Sequence, residues 1–372
     1  MKKAGRIPRV EAQAPGAFDL LSPDAISAAV EGSLGIGSDG TISAYSSYVN
    51  RVYGLRLDDD REIVAKFYRP GRWTRECILD EQRFVRDAAR VELPVAVPLD
   101  LIGGESLGEL ILEDEEGGTD IAFNFALFPK MGGRNFDAES DGDWLRLGTL
   151  LGRLHAVGGE RSAPSRLVCS PKGLTEPMLR ELLDQGLVHP EFRAELEELS
   201  ERVIDYLEPR FSGLAMRRIH GDCHRGNILD RLGSTSRGSG EGLYIIDFDD
   251  MMTGPAVQDL WLLLPDHADK CRHELGLLVE GYETFLPFDR RELQLIEGLR
   301  FMRMVYFLAW RARQRDDKWF KESFPDWGNK AFWTTELEDL RDQAELVPGD
   351  APAIEEKASE DADEDFAAWE KE

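Results

Sequence analysis

The apolar positions in the first third of the chain follow the pattern of short strands. Polar and apolar side chains alternate at Tyr53, Leu55 and Leu57, and similar runs recur further along. A period of two is typical of half-buried β-strands. A helix is predicted between the second and third runs, over residues 75–90. The strand candidates are residues 51–57, 62–68, 107–113 and 121–128.

The period changes to that of a helix after the Gly132–Gly133 pair. Trp144, Leu147 and Leu151 recur at three- and four-residue steps, which places them on one helix face. A short β-type run at residues 243–249 interrupts a region that is otherwise helical. The two patterns predict an α+β protein with a small β-rich N-lobe and a larger, mainly helical C-lobe. Further helices are predicted over residues 191–207, 255–264, 271–285 and 291–313.

The predicted domain plan has a flexible segment at each end. Residues 18–130 form the N-lobe and residues 131–346 form the C-lobe. Residues 1–17 are expected to be flexible, and residues 347–372, rich in Asp, Glu and Ala, to be an acidic disordered tail. The Gly/Ser run at residues 233–242 is predicted to be a flexible loop.

Composition and charge exclude several classes of protein. Of the 372 residues, 42% are hydrophobic, and 71 acidic against 45 basic residues give a net charge of -26. Such a charge repels nucleic acid and anionic membranes. The most apolar segment, residues 301–310, is interrupted by Arg303 and falls short of the roughly 20 residues of a membrane span, and no apolar signal stretch follows Met1. We therefore expect a soluble monomer that binds neither nucleic acid nor membrane.

The cysteines indicate a reducing environment. They form no Cys-x-x-Cys pair, which argues against a disulfide framework and against a structural zinc site. Reduced thiols, and hence a cytoplasmic location, are expected. The four residues are widely scattered: Cys77, Cys169, Cys223 and Cys271.

Two linked segments carry the strongest chemical signal. IHGDCHRGNIL at residues 219–229 contains Asp222 and Asn227, and YIIDFDD at residues 244–250 contains Asp247. An Asp-x-x-x-x-Asn loop followed by a further Asp is the arrangement of phosphoryl-transferring kinases. Asp222 would accept the proton of a hydroxyl nucleophile, and Asn227 and Asp247 would supply the hard oxygen ligands that Mg²⁺ prefers. The pattern predicts an ATP- and Mg²⁺-dependent phosphotransferase with Asp222 and Asp247 as catalytic residues.

Each of these residues also has a structural interpretation. Asp222 suits a turn, and Asn227 after a glycine suits a turn or a helix cap. The ordered set of motifs outweighs both interpretations. The choice of metal ligand is less settled, because Asp247 and Asp249 share a strand face by a period of two, whereas Asp250 points the other way or begins the turn. Asp247 is preferred because it directly ends the apolar run.

His220, Cys223 and His224 resemble a metal cluster at first sight. No fourth ligand accompanies them in the sequence, so zinc is not favoured. His220 is expected to pack in the loop and to hydrogen-bond its backbone, while His224 is open between a structural role and a phosphate contact. Cys223 lies beside an acid, which stabilises a thiolate poorly, so thiol catalysis is not expected.

A cation for the ATP phosphates is present in the second predicted strand, where Lys66 has apolar neighbours. A lysine there needs an anionic partner. In the predicted helix Glu81 shares the face of Ile78, whereas Glu76 lies on the polar face. We expect Glu81 to point inward toward Lys66. In the alternative, Lys66 extends from an edge strand into solvent and Glu81 lies at the rim of the apolar face.

The segment before the first predicted strand departs from the Gly-x-Gly-x-x-Gly phosphate loop, since residues 45–51 read YSSYVNR. A serine-bearing hairpin could cover the phosphates through backbone amides and the hydroxyl of Ser47. A plain polar turn is the alternative.

The motifs together resemble the aminoglycoside phosphotransferase and choline kinase branch of the protein kinase fold. The order of the motifs extends this resemblance over about residues 18–346. It implies a bilobal protein kinase-like fold that uses ATP and Mg²⁺. The matching stretches are SYVNRVY at residues 47–53, VAKFYRP at 64–70, HGDCHRGNIL at 220–229 and GPAVQDLW at 254–261.

The resemblance also implies roles for particular residues. Asp222 is the implied proton acceptor, and Ser47 is the implied ATP contact of the modified loop. Adenine binding is implied at residues 127–130, that is, at Leu127, Phe128 and Lys130. Asp259 is similar to a buried helix carboxylate that holds the catalytic loop in this family. Asn227 and Asp247 are the implied magnesium ligands.

The acceptor of the phosphate is the least determined part of the prediction. The resemblance is strongest to a bacterial group regarded as phosphorylating serine and threonine hydroxyls of proteins, so a protein substrate, including the chain itself, is expected first. A small-molecule hydroxyl kinase of the aminoglycoside, choline or sugar type is the alternative. A nucleotide-binding scaffold without turnover is disfavoured, because the base, the metal ligands and the lysine are all present.

Overall fold

Five antiparallel strands form the sheet of the smaller lobe. The computed structural model describes residues 17–45, 47, 49–113, 120–231 and 242–347. The strands are β1 (Ser38–Tyr45), β2 (Arg51–Leu57), β3 (Glu62–Phe67), β4 (Gly108–Leu112) and β5 (Ile121–Pro129). Their order across the sheet is β1-β2-β3-β5-β4, so β3 lies at the centre with β2 and β5 as neighbours. The lysine-bearing strand is therefore not an edge strand.

Two helices flank this sheet, α1 (Pro23–Leu34) and α2 (Arg75–Arg90). The hydroxyl groups of Ser22 and Thr74 cap them by accepting hydrogen bonds from backbone N–H groups of the first turn. α1 covers the outer face of the sheet with buried apolar residues. α2 lies between the sheet and the C-lobe, because Ile78 packs against the sheet while its neighbours two turns on pack against the C-lobe.

Eight helices build the C-lobe over the described residues, around one large apolar cluster. They are α3 (Asp141–Gly158), α4 (Glu176–Asp184), α5 (Arg193–Leu207), α6 (Val257–Trp261), α7 (Arg272–Glu283), α8 (Ile296–Arg313), α9 (Lys318–Ser323) and α10 (Lys330–Leu346). The most closely packed pair is α3 and α7, which cross at glycines that have no side chain to hold the two backbones apart. A Cβ added to Gly148 would overlap the carbonyl of Leu278, and one added to Gly281 would overlap that of Leu145.

Short strands between the lobes carry the segments with the kinase-like motifs. They are β6 (Arg134–Asn135), β7 (Arg217–Ile219), β8 (Ile228–Asp230), β9 (Leu243–Ile245) and β10 (Met252–Gly254). β8 and β9 form an antiparallel hairpin in which Ile228 faces Ile245, and β7 pairs with β10. The segments 220–227 and 246–251 therefore leave the same end of these two pairs of strands.

The prediction of an α+β bilobal fold is confirmed, and α2 has the predicted bounds. Neither α1 nor β1, which precede the predicted strands, is predicted from the sequence pattern. The predicted β-run at residues 243–249 is too long, because β9 ends at Ile245 and residues 248–250 form a 3₁₀ turn. The predicted flexible N-terminus, apart from Ala17, and the Gly/Ser loop and acidic tail, apart from Gly242 and Val347, lie outside the described residues. Within the described ranges no helix has the length and apolarity of a bilayer span.

Candidate active site

Lys66 points from the centre of the N-lobe sheet toward the C-lobe. The strand register aligns it with Val52 on β2 and Ala126 on β5. Its Nζ lies 2.8 Å from Oδ1 of Asp247 and 3.2 Å from Oδ1 of Asp249. A buried lysine requires such partners, since an unpaired ammonium away from water is strongly disfavoured. The structure thus brings together two sites that are 181 residues apart in the chain.

The electrostatic environment keeps Lys66 protonated. Burial acts to lower the pKa of Lys66, but the carboxylates of Asp247, Asp249 and Glu81 outweigh burial, and its pKa lies well above the usual value. The ring of Tyr68 adds a cation–π contact, with Nζ 4.9 Å from the ring centroid. Lys66 is therefore a fixed positive charge at the inner end of the cleft between the lobes.

Asp247 and Asp249 have different environments, which distinguishes their roles. The side chain of Asp247 is 51% exposed, whereas that of Asp249 is 5% exposed. Asp249 is also bound by Arg72 through Nη1 and Oδ2 at 2.5 Å. Burial acts to raise the pKa of Asp249, but Arg72 and then Lys66 outweigh it and hold that pKa far below the usual range. Asp249 is an internal counter-ion, and Asp247 is the carboxylate that a ligand can reach.

The expectation that Asp247 and Asp249 share a strand face is wrong. Both residues follow the end of β9, and Asp247 has a left-handed backbone with φ 60° and ψ 67°. This conformation is uncommon for a residue other than glycine and is found at functional sites, where surrounding contacts hold it. The reversal turns the Asp247 carboxylate toward Lys66 and leads the chain into the 3₁₀ turn that buries Asp249.

Glu81 on α2 lies inside the same cluster, as the helix pattern predicts, but it does not form an ion pair with Lys66 within 4 Å in this structure. Its Oε1 accepts a hydrogen bond from the Tyr68 hydroxyl at 3.3 Å, and its buried Oε2 has no hydrogen-bond partner in the part of the chain that the structure describes. Burial raises the pKa of Glu81 to about 7, and Lys66 acts against that rise. Lys66 and Glu81 are electrostatic neighbours, while the contacts of Lys66 are made with the two aspartates.

The loop between β7 and β8 is held from below by Asp259 on α6. Oδ2 accepts the backbone N–H of His220 at 2.7 Å, and Oδ1 accepts that of Gly221 at 2.8 Å. His155 on α3 lies 2.9 Å from Oδ2 and completes this carboxylate's bonds. Gly221 has φ +82°, and a Cβ there would overlap the carbonyl of Asp250. The loop therefore follows a path that a glycine permits and that a buried carboxylate fixes.

Asp222 and Asn227 lie on this loop and contact each other. Nδ2 of Asn227 donates to the carbonyl of Asp222 at 2.9 Å, which leaves Oδ1 of Asn227 as an acceptor. The N–H of Ile246 donates to the carbonyl of Asn227 at 3.0 Å. Asn227 is thereby hydrogen-bonded to Ile246, the residue before Asp247. The two predicted metal ligands therefore lie on neighbouring backbone segments.

His220 and His224 both support the loop. Nε2 of His220 donates to the carbonyl of Ile246 at 2.9 Å, which ties the two motif segments together and agrees with the expected backbone contact. Nδ1 of His224 accepts the N–H of Gly226 at 3.0 Å. Cys223 is buried, and burial raises the pKa of its thiol well above the usual value. Its thiolate is thus strongly disfavoured.

An arginine that the sequence reading did not assign to the site contacts the candidate base. Nη2 of Arg303 on α8 donates to Oδ1 of Asp222 at 2.5 Å. Burial raises the pKa of Asp222, Arg303 acts against that rise, and Asp250 adds to it. The available signal was the position of Arg303 inside an apolar helix, since a charge there needs a buried partner.

Asp250 joins the two lobes beside the loop. Its Oδ1 accepts hydrogen bonds from Nη2 of Arg72 at 2.7 Å and from the hydroxyl of Tyr306 at 2.9 Å. Arg72 lies in the segment between β3 and α2, so the N-lobe contributes a second buried cation to the aspartate run. Neither Arg72 nor Tyr306 was assigned from the sequence.

The remaining predicted residues lie in the N-lobe. Ser47 follows β1, and its carbonyl is 3.4 Å from a guanidinium nitrogen of Arg51. The hairpin register places Tyr45, Val52 and Lys66 in one row, so the loop that contains Ser47 leaves the sheet at the level of the lysine.

The residues with an implied adenine contact differ in orientation. Leu127 is fully buried in the core on the outer face of the sheet, and its carbonyl accepts the N–H of Leu99 at 2.7 Å. Phe128 follows it and, by strand alternation, faces the side of Lys66. Lys130 is exposed and pairs with Glu62 at 2.9 Å. Phe128 therefore faces the cleft side of the sheet, whereas Leu127 faces the core on the outer side.

A two-lobed fold with a lysine, an acid pair and an asparagine at its cleft defines the class of hydroxyl phosphotransferases with a kinase-like fold. Residues 41–296 match the family model described as phosphotransferase enzyme family, and the chain belongs to that family. Stress response kinase A of Escherichia coli (strain K12) is 36% identical over 337 residues, which is 89% of this chain and 94% of that protein. Serine/threonine protein kinase RdoA of Salmonella typhimurium (strain LT2) is 34% identical with the same coverage.

Solved structures show the same fold at low identity. An amicoumacin kinase in complex with AMP-PNP and Ca²⁺ has a TM-score of 0.65 and 16% identity, and the match covers 86% of this chain and 93% of that chain. A microcompartment-associated aminopropanol kinase has a TM-score of 0.62 and 17% identity, with 88% and 96% covered. The predicted relationship to the aminoglycoside phosphotransferase and choline kinase branch of the kinase fold is confirmed.

Proposed function

We propose that this protein is an ATP- and Mg²⁺-dependent serine/threonine protein kinase. The observation that carries the proposal is the convergence of Lys66, Asp247 and the Asp222 loop at one cleft, in a chain related over 89% of its length to proteins named as stress response and serine/threonine kinases. The four cysteines are free thiols, which favours a reducing compartment such as the cytoplasm.

Asp222 would orient the acceptor hydroxyl and receive its proton. It lies at the edge of the cleft on a loop whose backbone is fixed by Asp259 and His220. The fixed loop matters because a general base acts only within hydrogen-bond distance of the proton that it removes. Such positioning accounts for much of the catalysis in phosphoryl transfer.

Asn227 and Asp247 would hold the magnesium ion. The donor set fits, because Oδ1 of Asn227 has no role in the loop bond and the Asp247 carboxylate is exposed, and both are the hard oxygen ligands suited to Mg²⁺. Magnesium in such a site neutralises charge on the phosphate oxygens. Asp249 is not proposed as a ligand, because both of its oxygens face buried cations.

Lys66 would bind the phosphates of ATP from the N-lobe side. Its partners in this structure are the carboxylates that we assign to the metal and to the core, so phosphate binding would shift the lysine from Asp247 toward the nucleotide. Glu81, with its unpaired Oε2, is placed to take over as counter-ion. The loop of Ser47 would cover the phosphates, and the end of β5 at Phe128 and Lys130 would border the adenine, with Leu127 supporting it from the core.

A small-molecule hydroxyl kinase is the second candidate. Two neighbouring carboxylates favour it. Burial raises the pKa of Asp222, and the nearby Asp250 adds to that rise, so the pair would attract a cationic acceptor. The solved structures with this fold include an aminopropanol kinase and an amicoumacin kinase. Their identity of 16–17% supports the fold and leaves the acceptor of this chain to experiment.

Incubation with labelled ATP separates the candidates. The protein is tested alone, with a generic protein acceptor, and with a panel of amino alcohols and aminoglycosides, each with Mg²⁺ and with EDTA. Label on protein that requires Mg²⁺ supports the proposal, and label on a small alcohol alone supports the second candidate. Binding of ATP without transfer to any acceptor would contradict both and would indicate a nucleotide-binding scaffold.

A further inference from the structure

The carboxylate of Asp222 is held by a residue from outside the catalytic loop. The loop fixes the backbone of Asp222, since its carbonyl accepts from Asn227 and its N–H lies 3.3 Å from Nδ1 of His220. The side chain is fixed differently, by the 2.5 Å contact between its Oδ1 and Nη2 of Arg303. Both side chains are about one quarter exposed, so the contact is partly shielded from solvent.

Among the described residues, the second oxygen of Asp222 has no comparable partner. Nε2 of His224 is 3.6 Å from Oδ2, which is beyond the distance of a hydrogen bond. Asp250, His220 and His224 are the other charged or titratable groups near this carboxyl. One oxygen of the base is therefore engaged and the other is open.

Helix α8 carries Arg303 on the face that is directed to the aspartates of the site. Arg303 and Tyr306 are three residues apart, so they share a face of the helix, and Tyr306 donates to Asp250 at 2.9 Å. The buried residues around them are apolar, among them Met302 and Val305. A guanidinium in such a position costs free energy unless it is paired, which indicates that the pairing with Asp222 has a role.

We propose that Arg303 is a positioning residue that holds Oδ1 of Asp222 and so directs Oδ2 to the acceptor hydroxyl. The inference rests on the proposed function. In the reaction the proton of the acceptor O–H passes to Oδ2, and the acceptor oxygen forms a bond to the γ-phosphorus of ATP. The bond from that phosphorus to the bridging oxygen breaks, and its electron pair leaves on ADP. A fixed Oδ1 restricts rotation of the carboxyl and keeps the accepting oxygen in place.

The test compares Arg303→Met and Arg303→Lys with Arg300→Met. Arg300 lies on the same helix with similar exposure and contacts Glu297 and the ring of Trp261 instead of the base. For each variant kcat, the KM for ATP and the thermal midpoint are measured. For Arg303→Met we expect kcat to fall about 100-fold with the KM for ATP unchanged, as a misplaced catalytic group predicts. Lysine can donate one hydrogen bond to Oδ1, so Arg303→Lys should recover much of the loss.

Two outcomes would overturn the inference while the enzyme remains a kinase. One is equal kcat for Arg303→Met and Arg300→Met, and the other is an Arg303→Lys variant as impaired as Arg303→Met. If Arg303→Met does not fold, the kcat of Arg303→Lys is compared with that of Arg300→Lys. We then expect kcat to be reduced for Arg303→Lys alone. A wild-type protein that transfers no phosphate would instead refute the proposed function, and this inference with it.

Discussion

Lys66 and Asp247 form an ion pair of 2.8 Å between the two lobes. Lys66 is buried, whereas half of the Asp247 side chain is exposed, so the pair lies at the inner end of the cleft. The left-handed backbone of Asp247 and the central place of β3 both serve this contact. Any ligand that enters the cleft meets a lysine and a carboxylate that are already oriented.

Replacement of Asp222 by asparagine should abolish transfer and spare nucleotide binding. The amide keeps the shape of the side chain but cannot accept the hydroxyl proton, and loss of a general base costs about 10²–10⁴-fold in kcat. The measurement is labelled-phosphate transfer, with ATP affinity from titration calorimetry. Asp289→Asn, at a partly exposed carboxylate paired with Arg291 and remote from the motif segments in sequence, is the control. Transfer by Asp222→Asn at the rate of this control would remove Asp222 from the mechanism.

Asp247→Ala and Asp249→Ala should fail in different ways. The first should lose the Mg²⁺-dependent part of nucleotide affinity with little change in stability, because Asp247 is half exposed. The second leaves Lys66 and Arg72 without a shared buried counter-ion, which should lower the free energy of unfolding by about 3–5 kcal/mol. Titration calorimetry with and without Mg²⁺, together with urea unfolding, reads both effects. If Asp247→Ala keeps its Mg²⁺-dependent affinity, the ligand role passes to another residue.

The sequence predicted those parts of the site that depend on local patterns. Lys66 was placed on a strand by its neighbours, Glu81 on the buried face of α2 by helix period, and Asp222 by motif spacing. The orientation of Asp247 was not predictable, because a period of two no longer applies once the chain leaves β9. The apolar helix around Arg303 indicates that this charge needs a partner, but no local pattern identifies Asp222, 81 residues away, as that partner. Contacts of this kind depend on how helices pack around the loop.

The His155–Asp259 pair should make stability depend on pH in a defined direction. Burial lowers the pKa of His155 below 6.5, so below that pH the unfolded chain takes up the proton more readily than the folded protein. The contribution of His155 to the free energy of unfolding should therefore decline by about 1 kcal/mol per pH unit below 6.5. The pKa of Asp259 is also lowered, so its stabilisation is lost only at more acid pH, as pH falls through its folded value.

Glu81 and Glu292 change the free energy of unfolding in the opposite direction to His155. Burial raises the pKa of each to about 7, so acidification from pH 7 toward 4.5 favours the folded state. The quantity to measure is thus the difference in unfolding free energy between wild type and His155→Gln from pH 5 to 8. It should shrink as pH falls. His273→Gln is the control, since the raised pKa of that exposed histidine gives the reverse slope. A constant difference for His155→Gln would show that His155 does not titrate as proposed.

Two glycines on α7 should respond to alanine with opposite signs. A Cβ on Gly281 would overlap the carbonyl of Leu145 on α3, so Gly281→Ala should destabilise by about 1–3 kcal/mol. A Cβ on Gly276 meets nothing within 4 Å, and Gly276→Ala should stabilise the helix by up to about 1 kcal/mol. Thermal unfolding of the two variants reads both signs. Equal midpoints would mean that the α3–α7 crossing can widen without cost.

The two ends of the β8–β9 hairpin differ in their neighbours. Asn227 and Asp247 flank one end of the hairpin, while Arg231 and Gly242 pair at the other, where the N–H of Arg231 donates to the carbonyl of Gly242 at 2.7 Å. Residues inserted between Arg231 and Gly242 would therefore enter at the end of the hairpin remote from the two proposed metal ligands. This position offers an attachment point for a tag or a fluorescent reporter, because three pairs of strand residues separate it from the end that carries Asn227 and Asp247.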